Sequence, residues 1–185
     1  MKKFFALAAA CGFVAAFQTT GTAAYKPVSS SLPELSISFA DGPWDGKTIP
    51  ADQVCSIFSG KGSTPPLKVS GVPSGTNAII VEFNDRDYPP MSTDGGHGKI
   101  GFWVDQSGTV ALARVPAESH ELGEKAFVET NGRGGGRYAK PGYLPPCSGG
   151  KGHAYFAVIK AVYKAKIAGE QNQLLAEGHL ELGRY

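Results

Sequence analysis

The chain has 185 residues, with 18 Lys and Arg against 16 Asp and Glu, a near-balance that argues against the clustered basic face of a nucleic-acid binder. Its length suits one domain with a real hydrophobic core. The 25 Gly and 13 Pro are spread along the chain rather than gathered in one tract, which points to the many turns of a strand-rich fold and away from disorder.

The N-terminal segment reads as an export signal. Lys2 and Lys3 form a short positive start, Phe4 to Phe17 is mostly apolar, and Thr22-Ala23-Ala24 supplies the small residues of a cleavage site. The run is shorter than the roughly 20 residues that span a bilayer. Residues 1–24 are therefore expected to be a cleaved signal peptide and residues 25–185 the mature domain, periplasmic or secreted, with no transmembrane segment. Cys11 after Ala8-Ala9-Ala10 loosely resembles a lipoprotein site, but apolar residues continue beyond it, so it reads better as a small residue inside the signal. Removing Lys2 and Lys3 leaves 16 basic and 16 acidic residues, a formal charge of zero.

Leu35 to Phe39 alternates apolar and polar residues, the period of a half-buried strand. Turn signals follow at Asp41-Gly42-Pro43 and Asp45-Gly46, then an extended connector at Thr64-Pro65-Pro66-Leu67 and a turn at Val72 to Thr76. Asn77 to Phe83 predicts a largely buried strand running into Asn84-Asp85-Arg86-Asp87-Tyr88-Pro89-Pro90. Ile100–Val104 and Thr109–Val115 flank Asp105-Gln106-Ser107-Gly108, which predicts a hairpin. Residues 132–146 form a Gly- and Pro-rich excursion. Ala154 to Tyr163 is apolar on both faces except at Lys160, the signature of a central strand. Glu170 to Leu180 predicts a short C-terminal helix.

After signal removal two cysteines remain, Cys55 and Cys147. An oxidising compartment permits a bridge between them. The alternative is two buried free thiols.

Three segments place polar groups where predicted strands begin or end, the positions at which a rigid sheet commonly holds binding groups. They are Asp85-x-Asp87-x-Pro89, His97 within Asp94-Gly-Gly-His97-Gly98, and His153-x-Tyr155. Taken alone, Asp-x-Asp-x-Pro is also ordinary turn chemistry. His120 and His179 lie in polar contexts with no such placement. A metal site lacks the usual ligand spacings. No G-x-S-x-G is present, and Gly132 to Gly136 lacks the Lys-Ser/Thr of a phosphate loop.

The order of these pieces resembles the phosphatidylethanolamine-binding protein family, also called Raf-kinase-inhibitor-like proteins, and its exported bacterial branch in particular. Phe39-x-Asp41-Gly42, Ile49-Pro50, Cys55, Thr64-Pro65-Pro66-Leu67, Gly71-Val72-Pro73-x-Gly75-Thr76 and Asp85-x-Asp87-x-Pro89 carry the first half of the likeness. Gly142-Tyr143-Leu144-Pro145-Pro146-Cys147, His153-Ala154-Tyr155 and the C-terminal stretch carry the second. The resemblance implies an antiparallel β-sandwich-like fold with a small pocket for phosphate-like anions. Ligand-binding residues would be Asp85, Asp87, His97, His153 and Tyr155, with no cofactor.

Departures include Arg86 and Tyr88 in the family's D-P-D-A-P, which sets a long cation beside the expected pocket, and Ala154 in place of the family's arginine in H-R-Y. The leading expectation is an exported anion-binding protein that modulates a protein partner. The alternatives are a periplasmic hydrolase working through an Asp/His acid–base pair, and a protease or other protein inhibitor acting through its surface.

Overall fold

The computed structural model describes residues 31–167 and 170–185; the expected signal peptide lies outside them. The strands are β1 (Ser36–Phe39), β2 (Leu67–Val72), β3 (Ala78–Asp85), β4 (Lys99–Trp103), β5 (Gly108–Leu112), β6 (Ala126–Thr130), β7 (Ala154–Tyr163) and β8 (Gln173–Arg184). Two antiparallel sheets result, one of three strands ordered β1-β2-β5 and one of five ordered β6-β4-β3-β7-β8. The architecture is mainly β, as the composition and resemblance imply. Among the described residues no helix is long and apolar enough to cross a membrane.

The core lies between the sheets. Leu67, Val69, Val110 and Leu112 come from the smaller sheet and Ile79, Val81, Phe83, Ile100, Ala157 and Ile159 from the larger. In β3 and β7 these are alternate residues, because successive side chains on a strand point to opposite faces. All eight residues of β3 are nevertheless buried. On the outer face Glu82 lies under Lys99 and Lys160, both within salt-bridge reach, and beyond β3 Arg86 lies over the Phe156 ring at 4.4 Å. Long cationic side chains cover apolar surface with their stems while keeping the charge near water.

Three sequence expectations are corrected. The C-terminal segment is not a helix but β8, paired with β7 from Ala154↔Arg184 to Tyr163↔Gln173. Leu174, Leu175 and Glu177 favour a helix in isolation, but a full-length neighbour strand outweighs that weak local preference. Gly178 fits the sheet for a further reason: a Cβ there would sit 2.5 Å from the Leu35 carbonyl oxygen.

The segments around Asp105–Gly108 do not form a hairpin either. β4 pairs with β3 and β6, and β5 pairs with β2 in the other sheet. The turn is real, with Gly108 at φ +84°, but it carries the chain across the sandwich so that Val110 and Leu112 face the core. Third, Arg86 does not stand beside the pocket. It follows Asp85 on the opposite face, stacked on Phe156 and paired with Glu181.

Cys55 and Cys147 are joined by a disulfide, with Cα atoms 5.4 Å apart and a sequence separation of 92. The bridge ties the end of the Gly/Pro-rich excursion to the 3-10 turn at Ser56–Phe58.

Candidate functional site

Asp85 closes β3 on the same pleat as Ile79, Val81 and Phe83, one step beyond the point where the sandwich core ends. Tyr155 is its register partner on β7. A recess of about 410 Å³ opens there, lined by Asp85, His97 and His153, with Arg133 and Lys151 among its polar walls. Its remaining lining includes Tyr88, Met91, Tyr138 and Leu144.

Asp85 is the hub. Its Oδ2 lies 2.7 Å from His153 Nδ1 and 4.0 Å from His97 Nε2, and its Oδ1 accepts the Asp87 backbone N–H at 2.9 Å. The carboxylate is buried, with a side-chain exposure of 5 %, so these contacts take the place of water around its oxygens. Because a carboxylate accepts, Nδ1 of His153 carries the proton, which leaves Nε2 as the other polar atom of the ring.

His97 is fixed just as firmly. Its backbone N–H donates to Phe83 O at 2.9 Å, and its own carbonyl accepts from Leu144 N–H at 2.8 Å. Its Nδ1 lies 2.8 Å from Leu144 O, so Nδ1 donates and a neutral ring turns its Nε2 lone pair toward Asp85. Burial lowers its pKa below the ordinary imidazole value of 6.5, a pull opposed by the Leu144 carbonyl and the Asp85 charge. The turn carrying His97 is held by Asn84, whose Oδ1 accepts N–H bonds from Gly95 and Gly96 at 3.0 and 3.3 Å. Gly96 is required there, since a Cβ would lie 2.2 Å from Met91 Cα.

Tyr155 and Asp87 do different work from the other three. Tyr155 is buried behind the recess, with its hydroxyl accepting the Cys147 backbone N–H at 3.2 Å. Its ring meets His97 edge-on at 5.4 Å and lies 6.5 Å from the His153 ring. Burial raises its pKa, so the phenol stays protonated. Asp87 accepts the Ala154 N–H at 2.7 Å, which anchors the start of β7 beside His153. Asp85, His97 and His153 thus share one recess, while Tyr155 supports them and Asp87 ties the loops together.

Sequence reasoning did not single out Arg133, Lys151 or Met91, and met Tyr88 only as a departure from the family's D-P-D-A-P. Arg133 reaches the recess from the Gly-rich excursion and donates to the carbonyls of Pro90, Thr93 and Asp94. Gly-rich composition marked that loop, but only the fold shows which of its residues turns inward. Tyr88 stands at the lip, 47 % exposed. Among the described residues no group of three or more His, Cys, Asp or Glu could hold a metal ion.

The chemistry of this arrangement is specific. With both imidazoles neutral, their two Nε2 atoms are acceptors near a carboxylate and suit a ligand that brings its own proton or an ammonium. Protonation turns both into donors beside a buried negative charge, which suits an oxyanion.

Two solved structures are similar in fold. One is E. coli YbcL, a member of the mammalian phosphatidylethanolamine-binding protein family, at 21 % identity and a TM-score of 0.50, covering 82 % of this chain and 98 % of that one. The other is a phosphatidylethanolamine-binding protein homologue from Chlamydia trachomatis, at 20 % identity and a TM-score of 0.48, covering 82 % and 97 %. The family model described as phosphatidylethanolamine-binding protein matches residues 41–181, well over half of the sequence. The chain therefore belongs to the phosphatidylethanolamine-binding protein family.

Proposed function

We propose that this is an exported binding protein whose recess takes a small phosphate-like anion, free or as the headgroup of a larger ligand. The observation that carries this reading is the pair of imidazoles around Asp85, His153 at 2.7 Å and His97 at 4.0 Å, beside the cations Arg133 and Lys151. Asp85 does not itself attract an anion. It orients His153 through Nδ1, so that Nε2 is the ring atom left for a ligand. Export is supported by the charged-then-apolar start of the sequence and by the disulfide, which persists in oxidising compartments. A protein partner would respond to the filled or empty recess through Tyr88 at its lip.

Calorimetric titration with inorganic phosphate and phosphoethanolamine, from about pH 7.5 to 5.5, tests the reading. Affinity should rise as pH falls, because protonation adds donors and positive charge. Burial of His97 places its share toward the acid end of the range. His153→Ala should remove most of the binding. Affinity that is flat across the range, or untouched by that substitution, contradicts the proposal.

A second reading is favoured by one feature. Asp85 and His153 form a carboxylate–imidazole pair in a recess with room for water, the arrangement of a general base. Turnover of a phosphoester panel that is lost in His153→Ala would establish it, and no turnover removes it.

A further inference from the structure

The disulfide and the recess meet at Cys147. Cys147 lines the recess and is half-buried, whereas Cys55 is 0 % exposed, packed in a small cluster with Met91 and Leu144. The two sulfurs of one bond therefore differ in access. Thiol–disulfide exchange proceeds by attack of a thiolate on one sulfur, and access decides which sulfur is attacked. The walls also bias what arrives: Lys151 and Arg133, the latter also 3.9 Å from Asp94, outnumber the single lining carboxylate, Asp85, which His153 already engages.

We propose that Cys147 is a thiol-exchange site entered through the recess, and that it takes small anionic thiols in preference to neutral ones. The preference rests on the reading of the recess as an anion site; the access asymmetry does not. In the exchange the incoming thiolate sulfur bonds to Cys147 Sγ. The Cys55–Cys147 bond breaks, and its electron pair leaves on Cys55 as a thiolate, which then takes a proton from solvent. The incoming sulfur is oxidised to the disulfide level and Cys55 is reduced, so no further oxidant is needed.

Such exchange would be felt by the recess. The Cys147 N–H donates to Tyr155, and Leu144 O, three residues earlier, accepts from His97. The loop keeps a second tether after the bond opens, because Cys55 N–H donates to Pro146 O at 3.1 Å. A mixed disulfide on Cys147 also places its substituent in the space an anion would occupy. Modification and anion binding thus compete for one space, so bound anion slows exchange and the adduct excludes the anion.

The test treats the oxidised protein with 2-mercaptoethanesulfonate or with 2-mercaptoethanol at matched thiolate concentration, followed by acid quench and peptide mass mapping. Adducts should fall on Cys147, with the anionic thiol faster by roughly tenfold at low ionic strength. That advantage should fade at about 0.5 M NaCl as charge is screened, and inorganic phosphate should slow the reaction. Adducts on Cys55, equal rates for the two thiols, or no adduct at all would overturn the proposal. The binding reading fails separately. If phosphate neither binds by calorimetry nor slows exchange while the anionic thiol still prefers Cys147, the exchange site stands and phosphate recognition falls.

Discussion

Two buried carboxylates on one strand, Glu82 and Asp85, face opposite sides of the larger sheet and have opposite kinds of partner. Glu82 lies on the outer face, 2.9 Å from Lys160 Nζ and 3.3 Å from Lys99 Nζ. Lys99 also pairs with Asp94, and Lys160 lies 4.0 Å from Glu177. Burial pulls the Lys99 pKa down, but Asp94 and Glu82 outweigh it and raise it. Lysine, unlike imidazole, does not change charge near neutrality, so the stripe holds through that range. Asp85 has imidazoles in place of lysines, and imidazoles change charge near neutrality. The difference separates a carboxylate that holds strands together from one that lines the recess proposed to bind ligand.

The largest expected effect joins the two regions. Replacing both cysteines by Ala should cost up to about 4 kcal/mol in denaturant unfolding, since a loop this long is expensive to close without the cross-link. Hydrogen exchange should then rise around Leu144 to Tyr155 and stay low across the Lys160–Glu177 pairing. Uniform loosening would break the distinction between the regions.

Glu82→Ala should cost about 2 kcal/mol in the same assay, below the usual figure for breaking a buried pair because both lysines can turn to water. Phosphate affinity should be unchanged, and a loss of affinity would show that the outer stripe reaches the recess. Asp85→Asn should cost about 1–2 kcal/mol, because the His153 and Asp87 donors lose a charged acceptor. The rise of its phosphate affinity should shift toward lower pH, because His97 loses the Asp85 charge that favours its imidazolium.

The smallest effect is a pH slope. His97 has its folded pKa below the unfolded value of 6.5, so the unfolded chain binds the extra proton first. The stabilising contribution is complete above about pH 6.5 and declines as pH falls toward the folded pKa. Thermal melts should show that decline in the parent and a flatter profile in His97→Gln.

What could be read in the sequence depended on how local the cause was. β7 runs from Ala154 to Tyr163 as its apolar run indicates, because a strand flanked on both sides and buried on both faces carries its signature in every residue. Asp85 and His153 were visible because each sits next to such a strand. β8 was not visible, since its strand state comes from pairing with β7. Gly178 and Gly183 were the available warning, as two glycines argue against a helix there. β2 and β6 went unread because they are short: Leu67 to Ser70 alternates as a strand should but Gly71 breaks the alternation, and Glu129 and Thr130 end the apolar run of β6. Arg133 and Lys151 could not be chosen from among loop cations without knowing how the loop folds back.

Imidazole nitrogen resonances followed during phosphate titration at about pH 6 test the central claim most directly. The recess rings His97 and His153 should shift together and saturate, while exposed His120 and the outer-face His179 stay in place. Movement of His179 without His153, or no movement of either recess ring, would contradict the account.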